Sequence, residues 1–279
     1  MKKIRHLIFI FIAIIFSITL NSCRSISVET YTLKTPLLEK QSSIRIVLIA
    51  DLHNSIYGKD QSILIDKVKN ANPDLIILAG DIIDNMDTII GAQLLLSGIS
   101  GIAPIYFVTG NHEYWTNDIE GIREELISYG VIILWDSYAI VETGKNNIIL
   151  AGIEDPEKQF YEAPGYNQKE IMETVFRELD DVPWYKILIA HRPEMIETYK
   201  RYSFDLVLSG HTHGGQIRLP NIINGLYAPH QGLFPRYAGG MYSHGNITHI
   251  VSRGLSIRHP RFPRILNSPE LVIVVIESD

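Results

Sequence analysis

The chain has 279 residues, 46% of them hydrophobic, a formal net charge of −6 and ten histidines. That length and apolar content suit one large α/β domain or two small ones with a sizeable core. The negative balance argues against a nucleic-acid partner held on a basic face, and it makes attraction to anionic lipid a poor main anchor.

Lys2, Lys3 and Arg5 precede an apolar run over residues 7–20, followed by Leu20-Asn21-Ser22-Cys23. A basic start, a short apolar run and a small residue before a cut site describe a secretory signal. The run falls short of the ~20 residues of a spanning helix. Leu-Asn-Ser-Cys resembles a bacterial lipobox, with Cys23 as the lipidated first mature residue. Asn21 departs from the usual small or β-branched residue there, and an uncleaved signal anchor is the alternative. Either reading tethers the domain to a membrane, outside the cytoplasm, because the positive charges precede the apolar run. Cys23 is the sole cysteine, which excludes an intrachain disulfide. The organisation expected is a signal peptide or anchor over 1–22, a polar linker over 23–42 and one domain over 43–279.

From Ser43 onward strands and helices alternate. Residues 44–50 form a short apolar, β-branched run typical of a buried strand. A helix is predicted over 61–70, a strand over 75–79, a helix over 88–99, a strand over 105–109 and a helix over 118–129 with Gly130 as C-cap. Closely spaced strands follow at 131–134, 138–142 and 148–151, the last two joined by a hairpin turn at 143–147. A polar loop over 154–167 leads to a helix at 168–179 and a strand at 185–190. Next come a helix opening at Pro193 and a strand at 206–209. A glycine- and aromatic-rich stretch precedes strands at 248–252 and 271–276. The pattern predicts an α/β sandwich, two mixed sheets face to face with helices outside.

Five strand ends carry metal-ligand chemistry: Asp51-Leu52-His53, Gly80-Asp81, Gly110-Asn111-His112-Glu113, His191 and Gly210-His211-Thr212-His213. Asp51, Asp81 and Asn111 offer oxygen; His53, His191, His211 and His213 offer nitrogen. A mixed N/O set suits Mn, Fe or Zn. Seven candidates exceed one tetrahedral centre and suit two divalent metal ions sharing a carboxylate, an arrangement that serves in-line displacement at phosphorus.

In order and approximate spacing these segments resemble the calcineurin-like metallophosphoesterase superfamily, over about residue 44 to the C-terminus. The extension Gly-Gly-Gln-Ile-Arg-Leu-Pro after His213, with Val251-Ser252-Arg253-Gly254-Leu255 and Pro269-Glu270, is similar to its membrane-associated bacterial phosphodiesterase branch. The resemblance implies a four-layer αββα fold. It implies one metal on Asp51, His53 and His213, a second on Asn111, His191 and His211, and Asp81 bridging them. It also implies that a hydroxide between the metals attacks phosphorus, while His112, oriented by Asp84, protonates the leaving oxygen. The substrate expected is a phosphate ester, of an envelope lipid if the tether holds. The alternatives are a pyrophosphatase acting on a UDP-diacylglucosamine-type lipid, or a lipoprotein that binds metal without catalysis.

Among the remaining residues Glu113 is expected to buttress its loop. Arg192, Arg218 and Arg253 are candidates to clamp phosphate, and Arg218 and Gln216 to bind substrate. Trp115 is expected in the core. His230, His244, His249 and His259 are expected as surface residues. Loop aromatics such as Tyr227, Phe234 and Tyr237 are divided between core and a substrate mouth.

Overall fold

A computed structural model describes residues 25–219, 222–257 and 263–279. The expected signal, its Cys23 and His259 lie outside the described residues. The strands are β1 Ser27–Thr35, β2 Ser43–Ile49, β3 Leu75–Ala79, β4 Ile105–Val108, β5 Ile132–Ile133, β6 Ser137–Thr143, β7 Asn146–Ile153, β8 Tyr185–Ala190, β9 Leu206–Ser209, β10 Tyr227–Ala228, β11 Gly232–Leu233, β12 Gly240–His244, β13 Ile247–Val251 and β14 Glu270–Ser278. They build two six-stranded sheets, β1-β14-β2-β3-β4-β5 and β12-β13-β9-β8-β7-β6, and a small β10-β11 hairpin.

Period-two alternation sorts the side chains into four layers. In β2, Ile44, Ile46 and Leu48 enter the apolar layer between the sheets, where they meet Ile187, Ile189, Leu206 and Leu208 of the other sheet. Val47 and Ile49 point the other way, onto Leu64 and Val68 of the helix Ser62–Ala71 and Leu95 of the helix Ile90–Ile99. On the far side, Leu188 and Val207 pack with Met172 of the helix Gln168–Val175 and Tyr199 of the helix Ile196–Tyr199. Helix, sheet, sheet, helix is the expected αββα sandwich.

Two expectations fail for physical reasons. Residues 27–35, read as linker, form an edge strand parallel to β14 over its whole length, Ser27 opposite Glu270 through Thr35 opposite Ser278. An edge strand is buried on fewer sides, so exposed Thr30, Thr32 and Lys34 alternate with Tyr31 and Leu33, which pack on the core. His249, expected at the surface, is fully buried in β13 beside Ser209, 3.1 Å from its Oγ, and burial pushes its pKa down to about 3.

Strands β2, β3 and β4 run parallel, as do β7, β8 and β9. Their carboxyl ends therefore open at one edge of each sheet, the usual crevice for ligands in open α/β sheets. Asp51 leaves β2, Asp81 leaves β3, Asn111 leaves β4, His191 leaves β8 and His211 leaves β9.

The layering fixes an expected contrast in stability. Ile77→Ala, in the layer between the sheets, should lower unfolding stability by about 2–5 kcal/mol. Ile140→Ala, on exposed β6, should change it by under ~0.5 kcal/mol. Denaturant unfolding of both variants checks this, and equal losses would contradict the assigned layers.

Candidate dinuclear metal centre

The ligand-bearing turns converge. Asp51, His53, Asp81 and His213 place one ligand atom each within 4.8 Å of one another, and Asp81, His191 and His211 do the same. Asp81 belongs to both groups. Its Oδ1 accepts the backbone N–H of His112 at 2.9 Å. Its Oδ2 lies 3.2 Å from His191 Nε2 on one side and 3.7 Å from His53 Nε2 on the other. His53 Nε2 and His213 Nε2 are 3.1 Å apart, and His213 Nε2 is 3.4 Å from Asp51 Oδ1. His191 Nε2 is 3.2 Å from His211 Nδ1.

The turns hold these atoms by backbone chemistry. Asp51 accepts the N–H of His211 on both oxygens, at 2.9 and 3.0 Å, which ties the end of β2 to the end of β9. His191 Nδ1–H donates to Ala79 O at 2.8 Å, which fixes Nε2 as the atom that faces Asp81. Asp51, His53, Asp81, His211 and His213 all have positive φ, between 46° and 73°. Asp and His tolerate this region better than most residues, at a cost of order 1–3 kcal/mol each. The glycines matter for a different reason. A Cβ on Gly110 would lie 2.2 Å from Asp81 Oδ1, and one on Gly254 2.6 Å from Asp51 Cβ. Gly254 explains the Arg253-Gly254-Leu255 segment: it packs on Asp51, and Leu255 N–H donates to Ala50 O and Asp51 O.

Glu113 is the buttress expected, on a larger scale. Its Oε2 accepts from the N–H groups of Asp81 and Gly110 at 2.9 and 2.8 Å, and its Oε1 from Ile82 and Ile83 at 2.7 and 3.0 Å. One buried carboxylate thus joins the turn after β3 to the turn after β4.

The charges are strongly coupled. Burial pushes the Asp51 carboxyl up to about 6. Burial acts upward on Asp81 too, but His191, His112 and His53 outweigh it and hold Asp81 well below the usual carboxylate range. Burial pushes His191 down, yet Asp81 and Asp51 raise it to about 10. His211 is pushed well down, by burial first and then by His191 and Arg192. Neighbouring imidazoles driven in opposite directions mark a site with room for few protons. Asn111 Oδ1 is buried, and no donor among the described residues reaches it. An orphaned amide oxygen on the residue before His112, whose N–H donates to Asp81, joins a carboxylate and imidazole set that fits divalent cations of the Mn, Fe or Zn type.

His112 stands at the rim, less buried than the ligand candidates. Its Nδ1 is hydrogen-bonded to Asp84 Oδ1, and Asp84 also lies 3.3 Å from His53 Nδ1. Burial lowers the His112 pKa, but Asp81 and the Asp84 hydrogen bond outweigh it and raise it to about 9. For Asp84 burial acts upward, and the hydrogen bonds to His112 and His53 bring its pKa far below the usual value.

Residues 44–215 match the calcineurin-like phosphoesterase family. The chain belongs to that family. A metallophosphoesterase of Bacillus subtilis, YkuE, is 30% identical over 262 residues, 91% of this chain and 86% of that one. Phosphodiesterase YaeI of Escherichia coli is 27% identical, over 78% of this chain and 77% of that one. A zebrafish (Danio rerio) transmembrane protein with a metallophosphoesterase domain is 33% identical over 69% of this chain, which spans 45% of that longer protein. Among solved structures, the Haemophilus influenzae NAD nucleotidase NadN shares the fold with a TM-score of 0.54 at 16% identity, over 78% of this chain and 46% of that one. As a calcineurin-like phosphoesterase the chain is, in class, a metal-dependent phosphoric ester hydrolase.

The outlying candidates have partners of their own. Arg192 is buried and clamped by Asp155 at 2.7 and 2.8 Å. Arg253 pairs with Glu270 and Glu29. Arg218 hydrogen-bonds Asn224 at 2.6 Å, and Gln216 O accepts from Asn267 at 3.1 Å. Tyr237 is buried in the outer core. Trp115, expected in the core, is 45% exposed, with its ring centroid 4.5 Å from that of His112. His230 is exposed as expected, but its Nδ1 lies 2.9 Å from His211 Nε2, a contact that the sequence did not predict.

Glu113→Gln puts an amide N–H₂ against two buried backbone donors. It should destabilise the fold by about 3 kcal/mol and lower metal content, read by thermal unfolding and by elemental analysis. Wild-type stability and metal content in this variant would remove the buttress role.

Proposed function

We propose that the chain is a two-metal phosphodiesterase. The observation that carries the reading is Asp81, common to two ligand groups, with the His112–Asp84 pair beside it. Asp51, His53 and His213 would hold one cation, Asn111, His191 and His211 the other, and Asp81 both. Bound divalent cations supply Lewis-acid polarisation of the phosphoryl group and a nucleophile at neutral pH.

The protein's own groups do the rest. His191 and His211 keep Nε2 and Nδ1 turned inward. Asp84 accepts from His112 Nδ1–H, which leaves Nε2 to hold the proton that a departing oxygen takes. Trp115 walls the leaving-group side of His112. The diesterase reading is supported by the similarity to YaeI, a protein named as a phosphodiesterase.

An envelope-lipid substrate has a narrower support. Tyr227, Leu233 and Phe234, the last two 68% and 64% exposed, flank His230 on one hairpin, and His230 touches His211. Exposed apolar side chains on the hairpin that reaches the centre through His230 support this reading. The tether is part of the same reading, supported by the basic and apolar start of the chain and by relatives named as transmembrane proteins. Among the described residues no helix is long and apolar enough to cross a membrane.

Asp81→Ala should abolish hydrolysis of bis-p-nitrophenyl phosphate and lower metal content below that of any other single ligand change. Full activity in it would sink the two-metal reading. His112→Ala should keep its metal and lose about 10²–10⁴-fold in rate, with a smaller loss for very acidic leaving groups. Loss of metal there would make His112 a ligand instead. Turnover of monoester, diester and lipid pyrophosphate in Mn separates the substrate classes, and preference for the pyrophosphate would replace the diesterase.

A further inference from the structure

His230 lies at the tip of the β10–β11 hairpin, nineteen residues beyond His211 in the chain. Its ring stacks on that of His211, centroids 5.1 Å apart at 26°. Its Nδ1 is 2.9 Å from His211 Nε2, and its Nε2 is 3.0 Å from Arg192 Nη1. We propose that His230 is a positioning residue for the metal centre, whose Nδ1 accepts the Nε2–H of His211 and holds that ring with Nδ1 turned toward Asp81 and His191. The inference rests on the metal-centre reading above.

His211 Nδ1 faces the group it shares with His191 and Asp81, so a bound cation takes its lone pair there. A neutral imidazole carries one N–H, which then sits on Nε2. The hydrogen-bond partner of Nε2 among the described residues is His230 Nδ1. Accepting that bond places the His230 proton on Nε2, where it faces Arg192. A guanidinium only donates. Two donors 3.0 Å apart cannot bond, so the Arg192–His230 bond and the His211–His230 bond exclude each other once His211 ligates. Cation binding therefore reverses the direction of the His211–His230 bond and breaks the Arg192–His230 bond, and the His230 proton moves from Nδ1 to Nε2. Arg192 stays in place, because Asp155 and Glu157 hold its other nitrogens.

Glu194, His211 and His230 could themselves surround a cation. Two facts oppose that. The guanidinium of Arg192 sits 3.0 Å from His230, and His211 has one lone pair to give, already committed toward Asp81.

Chelator-competition titration with Zn on the full-length chain in detergent tests the proposal, with wild type, His230→Ala and His230→Asn side by side. His230→Ala should weaken the second cation by about 10–100-fold and leave the first nearly unchanged. His230→Asn, whose Oδ1 can accept from His211, should restore most of the affinity. Thermal unfolding in chelator verifies that both variants fold. In wild type, ¹⁵N imidazole spectra should show the His230 proton on Nδ1 in chelator and on Nε2 in Zn, a change that a purely structural residue would not make. Wild-type affinity in His230→Ala, an Asn variant as weak as Ala, or a proton that stays on Nδ1 in Zn would each overturn the role of His230 and leave the metal centre standing. A wild-type chain that takes up fewer than two cations would overturn both.

Discussion

The four backbone N–H groups that end on Glu113 are the constraint from which the rest of the site follows. Asp81 can serve two ligand groups only if its turn and the turn carrying Asn111 and His112 are locked together. Glu113 does this with both oxygens, one bridging Asp81 to Gly110, the other taking Ile82 and Ile83. With those donors committed, Asp81 Oδ1 is left to the N–H of His112, and Oδ2 is left free toward His53 and His191. A carboxylate that accepts four N–H groups must be ionised, and burial together with Asp81 pushes the other way on its pKa. Charge–charge repulsion is thus built into the ring of turns, and bound cations relieve it.

The same tension appears in the backbone. Five ligand candidates sit at positive φ, each in a turn that leaves a strand directly. Extended strands would send the side chains to alternating faces; the left-handed turn swings each side chain back over the sheet edge. The strain is affordable because the sandwich beneath is rigid, with every residue of β3 and β8 buried. Strained turns on a stiff scaffold give fixed ligand positions, which a site with two charges in close contact requires.

How far the sequence revealed this depends on the kind of information. Apolar runs ending in Asp, Asn or His were legible, because a buried parallel strand and a ligand at its end both leave residue-type signals. The order of the five segments made the family legible too. Three features left no such signal. β1 reads as polar because an edge strand needs only alternate burial, and its signal was the spacing of Tyr31 and Leu33 rather than mean hydropathy. The exposure of Trp115 follows from the short helix Asn111–Trp115 ending at the rim, where its Nε1–H reaches Glu157 at 3.2 Å. His230 reaches His211 only through the hairpin, whose two-residue strands are too short to show alternation.

These missed residues share a side of the centre. Trp115 bonds Glu157, Glu157 lies 3.3 Å from Arg192, Arg192 meets His230, and His230 stacks on His211. The chain of contacts runs from beside His112 to beside His211, so it flanks both ligand groups along one wall. The turns that carry the ligand candidates leave the strands directly. This wall is built from Trp115 at the end of the short helix after β4, Glu157 in the loop after β7, Arg192 directly after β8 and His230 in the β10–β11 hairpin. Loops set on a fixed scaffold are where specificity can change without disturbing the metal positions. Glu157 and His230, carried on loops, can therefore vary while the strand ends keep the ligand turns in place.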